Sequence, residues 1–273
     1  MGKVVFSDSW EQYFNSFGLR SFGDFYNYQD ALHVNRNKRR NVQRFTLENS
    51  QGKKSFYIKR FHNPHLKDVL AAAINFGWGT TQGRVEWKNA RCLLKKGFGT
   101  YVPVCYGESG QSNSFIVTIE LDAVCLQKYV IEKWRGLSRD EQDKIIIAAA
   151  DMIKRIHNFN ISLPDLFIWH FFVQPNSIEG EIKLSVIDLH RMRTSAKSRA
   201  SKIKELATFY WSMSDEYFDA GHKKLLVSTY AGTKDISSLM KTVLKHEEHL
   251  HKKRILRHHY LPKRFADASS RKS

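Results

Sequence analysis

Cysteine is scarce in this chain, acids are outnumbered, and no long apolar run occurs. The three cysteines, Cys92, Cys105 and Cys125, are odd in number and never spaced Cys-x-x-Cys. That argues against a disulfide framework and against a zinc ribbon, and it fits a reducing compartment. The N-terminus, M-G-K-V-V-F-S-D-S-W, lacks the apolar stretch of a secretory signal. No window approaches about 18 uninterrupted apolar residues, which a spanning helix needs, so the expected protein is soluble or attached to a membrane only at its surface. Acids are the third shortage: 27 Asp and Glu stand against 44 Lys and Arg, a formal charge of +17. The positive field attracts phosphorylated, nucleic-acid or anionic-membrane partners without choosing among them.

What is present divides into two parts. At 273 residues the chain exceeds the usual single domain, and two lobes are expected, residues 1–120 and 121–273. The first 30 residues are rich in aromatics (Trp10, Tyr13, Phe14, Phe17, Phe22, Phe25, Tyr26, Tyr28), suited to packing across the outside of the first lobe. From Ala31 the pattern alternates through A-L-H-V, V-Q-R-F-T-L-E and S-F-Y-I-K-R-F around two polar turns, which predicts a three-stranded antiparallel meander. Y-V-P-V-C-Y-G-E and S-F-I-V-T-I-E-L-D add two strands, completing a five-stranded sheet with a hinge near 120. Between them, Q-G-R-V-E-W-K-N-A-R-C-L-L-K-K-G spaces its apolar residues as a helix ending at Gly97. Ser138 and Glu141 form a capping box that opens a second, buried helix, and the second lobe is read as mostly helical.

Lys59 ends the third strand and Glu86 lies early on the first-lobe helix, its natural partner. As a functional residue Lys59 would reach nucleotide phosphates; alone, it reads first as one more surface lysine. The turn from Asn35 to Asn41 occupies the place of a phosphate-binding glycine loop yet holds no glycine. Side chains such as Arg36, Lys38, Arg39 or Arg40 would have to serve instead, or the turn is a solvated basic face.

The stretch from Arg155 to Arg191 carries the chemistry. It sets Asp165 five residues before His170, and Asp188 at the end of a second strand. Asp165 alone suits a turn after Pro164, and His170 alone suits a bonded core histidine. Together, two carboxylates and a metal-capable ring supply what phosphoryl transfer needs: one group to orient a hydroxyl and two to hold magnesium.

D-L-F-I-W-H-F-F-V followed by V-I-D-L-H-R resembles the Kdo/WaaP family of bacterial lipopolysaccharide core kinases, and the likeness continues through K-E-L-A-T-F-Y-W-S at 204–212. The resemblance implies an α+β, bilobal protein-kinase-like fold, with an N-lobe of five antiparallel strands plus a helix. It implies Asp165 as the catalytic Asp, Asp188 and His170 as magnesium ligands, and Lys59 with Glu86 as the nucleotide clamp. Arg36 and Lys38 are expected at the phosphates. The implied cofactors are ATP and Mg2+, and the implied acceptor is Kdo or heptose of the lipid A core, at the cytoplasmic face of the inner membrane. The family usually places a His-Arg or similar pair directly before the catalytic Asp and a glycine a little earlier; this chain has Leu163, Pro164 and Asn160.

Basic stretches at 191–204 and 241–273 suit an anionic acceptor or membrane surface, and no nucleic-acid partner is expected. H-E-E-H-L-H, with histidines three and five apart, misses the zinc H-E-x-x-H spacing. The alternatives are a catalytically weak kinase-like protein that uses its basic surface for membrane or nucleic acid, or a kinase with a protein or small-molecule acceptor.

Overall fold

The computed structural model describes residues 2–255 except 9, 38, 51, 65, 111, 112 and 175–179. The N-terminal V-V-F segment forms β1 (Lys3–Phe6), and two short helices, α1 (Trp10–Asn15) and α2 (Phe22–Tyr26), hold the early aromatics. The alternating segments become β2 (Leu32–Asn37), β3 (Arg40–Asn49) and β4 (Gly52–Phe61). Then come α3 (Leu66–Phe76), α4 (Gln82–Lys95), β5 (Pro103–Ser109) and β6 (Asn113–Ile119).

The strands join in the order β1-β5-β6-β4-β3-β2, antiparallel throughout. The sheet therefore has six strands where the pattern predicts five. The extra one, β1, spans four residues, too short for alternation to register. Period two puts Phe45 and Leu47 of β3, Phe56 and Ile58 of β4, and Phe115 and Val117 of β6 on one face. That face packs on Phe14 and Phe25 of the N-terminal helices. Burying each large ring contributes about 2 kcal/mol.

Arg60 is the exception on that face. Its guanidinium is buried, donates to the carbonyls of Phe25 and Tyr28, both at 2.9 Å, and bonds Gln43. Burial pulls its pKa down to about 10, which still leaves it charged at neutral pH. Arg60→Leu would strand the two carbonyls and Gln43, so a loss of about 3 kcal/mol is expected. A thermal-shift midpoint equal to the parent's would show that the N-terminal helices are held by ring packing alone.

The second unit begins with β7 (Val124–Cys125), which pairs with β8 (Phe171–Val173) and through it β9 (Leu184–Val186). Around this small sheet lie α5 (Leu126–Lys133), α6 (Arg139–Asn158), α7 (Arg199–Ser212), α8 (Ala220–Ala231) and α9 (Ser237–Ile255). The capping box opening α6 is present: Ser138 accepts from Glu141 N, and Glu141 accepts from Ser138 N at 2.7 Å. By its internal contacts the first unit comprises residues up to Leu121 together with Asp188–Arg191, and the second Asp122–Ile187 and Met192 onward. Among the described residues, no helix is long and apolar enough to cross a membrane.

Candidate active site

In the first unit, α4 is capped by Thr81, whose hydroxyl accepts from Arg84 N. At the second position of the helix, Gly83 lies so close to β6 that an added Cβ would sit 2.5 Å from the Phe115 carbonyl oxygen. The Gly83 amide donates to Ser114 Oγ at 3.1 Å. A side chain at this position would push the helix off the sheet. With the helix seated, buried Glu86 accepts from Lys59 Nζ. Lower on the same helix, Asn89 donates to the Leu189 carbonyl at 2.7 Å and ties residues 188–191 to this unit.

Asp188 has a left-handed backbone, φ 64°, which an Asp side chain tolerates better than most. Its Oδ1 accepts from Lys59 Nζ at 2.8 Å, His190 Nδ1 at 2.9 Å and Arg40 at 3.2 Å. Burial opposes ionisation of this carboxyl, but Lys59, His190 and Arg40 overcome it and hold the pKa well below the usual carboxylate range. Tyr101 shows the opposite case: burial, with Glu86 and Asp188 adding to it, pushes its hydroxyl well above the ordinary value. Glu86, Asp188 and His190 bring ligand atoms within 4.8 Å of one another. Glu86 is engaged by Lys59 Nζ, while a hard carboxylate such as Asp188 suits a divalent cation such as magnesium, which favours oxygen donors.

The glycine-free turn is tight. β2 runs to Asn37 and β3 starts at Arg40, with Asn37 paired to Arg40 and Arg36 to Asn41. Lys38 lies outside the described residues, as does the side chain of Arg36. Arg39 donates to the Asn63 carbonyl at 2.8 Å, while Arg40 reaches Asp188. Arg40, one of the turn's candidate bases, thus joins the cluster, as does His190, for which the sequence carries no expectation. The signals were the basic turn and the I-D-L-H-R block, but neither identifies which side chain points inward.

The second unit positions Asp165 and His170. His170 Nδ1 lies 2.7 Å from the Asp165 carbonyl oxygen. A carbonyl oxygen can only accept, so Nδ1 carries the proton in this bond. Asn160 has φ 56°, the left-handed turn just past a helix end that glycine or asparagine supplies. Its side chain accepts from Lys202 at 3.0 Å.

The support expected from a histidine before Asp165 comes from α7 instead. Buried Glu205 accepts from Ser162 Oγ, from Leu163 N at 2.8 Å and from His157 Nε2 at 3.1 Å, while Tyr230 meets the other ring nitrogen of His157. Two turns along α7, Ser212 Oγ accepts from Ile168 N at 2.9 Å. One helix therefore holds the loop on both sides of Asp165. Glu205→Ala strands three donors, so a loss of about 3 kcal/mol is expected. A drop in the thermal midpoint that Glu205→Gln only partly recovers would show it, and an unchanged midpoint would contradict it.

These features define a protein-kinase-like fold. A solved structure titled WaaP in complex with acyl carrier protein superimposes with a TM-score of 0.68 at 23% identity, covering 91% of this chain and 99% of that one. Residues 25–241 match the lipopolysaccharide kinase (Kdo/WaaP) family, and the chain belongs to it. The lipopolysaccharide core heptose(I) kinase WaaP of Escherichia coli strain K12 is 29% identical over 179 residues, 62% of this chain and 67% of that protein. A second Escherichia coli sequence of the same name is 28% identical over 179 residues.

Proposed function

We propose that the chain transfers the γ-phosphate of ATP to a sugar hydroxyl, heptose or Kdo, of the lipopolysaccharide inner core at the cytoplasmic face of the inner membrane. The reading rests on Lys59, which bonds both Glu86 and Asp188 within one unit. A lysine fixed between two carboxylates presents a cation at a set place, as a phosphate clamp requires. The relatives' name, heptose(I) kinase, favours heptose as the acceptor.

In this mechanism Lys59 and Arg40 bind phosphate oxygens, with Arg40 doing by charge what a glycine loop does with backbone amides. Asp188 and His170 would hold magnesium, and His190 steadies the Asp188 carboxylate through its Nδ1. When bound, magnesium neutralises charge on the transferring group. Asp165 orients the acceptor hydroxyl and takes its proton as the phosphoryl group leaves ATP. Most of the catalysis in such a site is positioning and electrostatics.

The test is mass spectrometry of a lipopolysaccharide core incubated with ATP, magnesium and the purified chain. One added phosphate on heptose is expected; one on Kdo would move the acceptor. An unmodified core, with no nucleotide-dependent thermal shift, would sink the reading.

A further inference from the structure

Helix α3 presents an apolar stripe that no described element covers. Its inner side packs toward α4: Ala72 is buried, and Phe76 lies under Lys88, whose Nζ is 5.0 Å from the ring centroid. On the outer side Leu66 is 74% exposed, Leu70 41% and Ile74 84%, and Trp78, just past the helix, is 80% exposed. The four residues recur every fourth position, so the three within the helix lie along one line. Single exposed apolar residues need no explanation, whereas an aligned stripe marks a contact surface.

Charge selects the occupant. The chain carries +17, so two copies repel each other, while an anionic bilayer attracts the chain. A helix of 11 residues is too short to span a bilayer, but it can lie in the interface with its apolar line inserted. Tryptophan suits that depth, because its ring is apolar and its N–H remains wet. We propose that Leu66, Leu70, Ile74 and Trp78 enter the headgroup boundary of an anionic membrane and hold the enzyme on the surface that carries its acceptor. The membrane-bound acceptor belongs to the function proposed above, and the inference rests on that reading.

Flotation of the full chain with phosphatidylcholine vesicles, with and without phosphatidylglycerol, tests the proposal. The unaltered chain should float only with the anionic vesicles. Ile74→Ser with Trp78→Ser should reduce partitioning about tenfold or more. Ile147→Ser with Leu244→Ser removes two exposed apolar residues elsewhere and should change nothing. Trp78→Phe keeps the apolar bulk: it should still float but lose part of the tryptophan quenching by brominated lipid chains.

Flotation of the stripe variant equal to the parent's would overturn the proposal, as would an equal loss in the Ile147/Leu244 variant. So would quenching that is unchanged in Trp78→Phe. A stripe variant that only converts a dimer to a monomer would assign the face to self-association instead. Phosphate transfer to a water-soluble core fragment, measured in parallel, separates the two readings. Its failure in the unaltered chain counts against the kinase, and lost flotation with intact transfer to that fragment counts only against the stripe.

Discussion

Asp188→Asn is expected to lower phosphate transfer about a thousandfold or more, and to weaken magnesium-dependent nucleotide binding with it. One oxygen of Asp188 accepts from Lys59, Arg40 and His190, so the carboxylate organises the cationic side of the cluster as well as offering a metal ligand. Asparagine preserves the shape and suits φ 64°, so the loss would be one of charge and not of fold. Linkage gives a second readout. Burial of Asp188 works against the charged form, but Lys59, His190 and Arg40 keep its folded pKa well below the unfolded value of about 3.9. The stabilisation is therefore present above that unfolded value and is lost as pH falls through the folded pKa. The parent should lose stability in acid more steeply than the Asn variant. Parallel acid melts, or near-parental turnover in the variant, would remove Asp188 from the site.

Asp165→Asn should behave differently. A group that orients a hydroxyl and accepts its proton contributes about a hundredfold to ten-thousandfold in rate, and its loss should fall on kcat. Nucleotide affinity, read by thermal shift with magnesium and ATP, should stay at the parent's value. The α7 contacts to Ser162, Leu163 and Ile168 do not involve the Asp165 carboxylate, so the loop should keep its form. A variant that lost nucleotide binding together with turnover would place Asp165 among the metal or phosphate ligands.

The sequence shows much of this arrangement because its signals are local. Alternation reveals β3 and β4, the capping box reveals the start of α6, and a lysine on a strand followed by a glutamate early on a helix suggests the pair between them. β1 does not show because four residues cannot display a period. Arg40 could not be chosen from four neighbouring bases, since the hairpin register decides which one meets Asp188. Glu205 stayed hidden for a different reason: a charged residue in mid-helix reads as solvent-facing. Its burial makes sense only once Ser162, Leu163 and His157 are seen to converge on it.

The seat of α4 bears on control. In protein kinases the lysine–glutamate pair can be made or broken by swinging the helix that carries the glutamate. Here Gly83 rests against the Phe115 backbone and Asn89 is tied to Leu189, so α4 is fastened on both sides of Glu86. The Lys59–Glu86 pair stands formed in this structure, and the two fastenings on either side of Glu86 are what a swing of α4 would have to break.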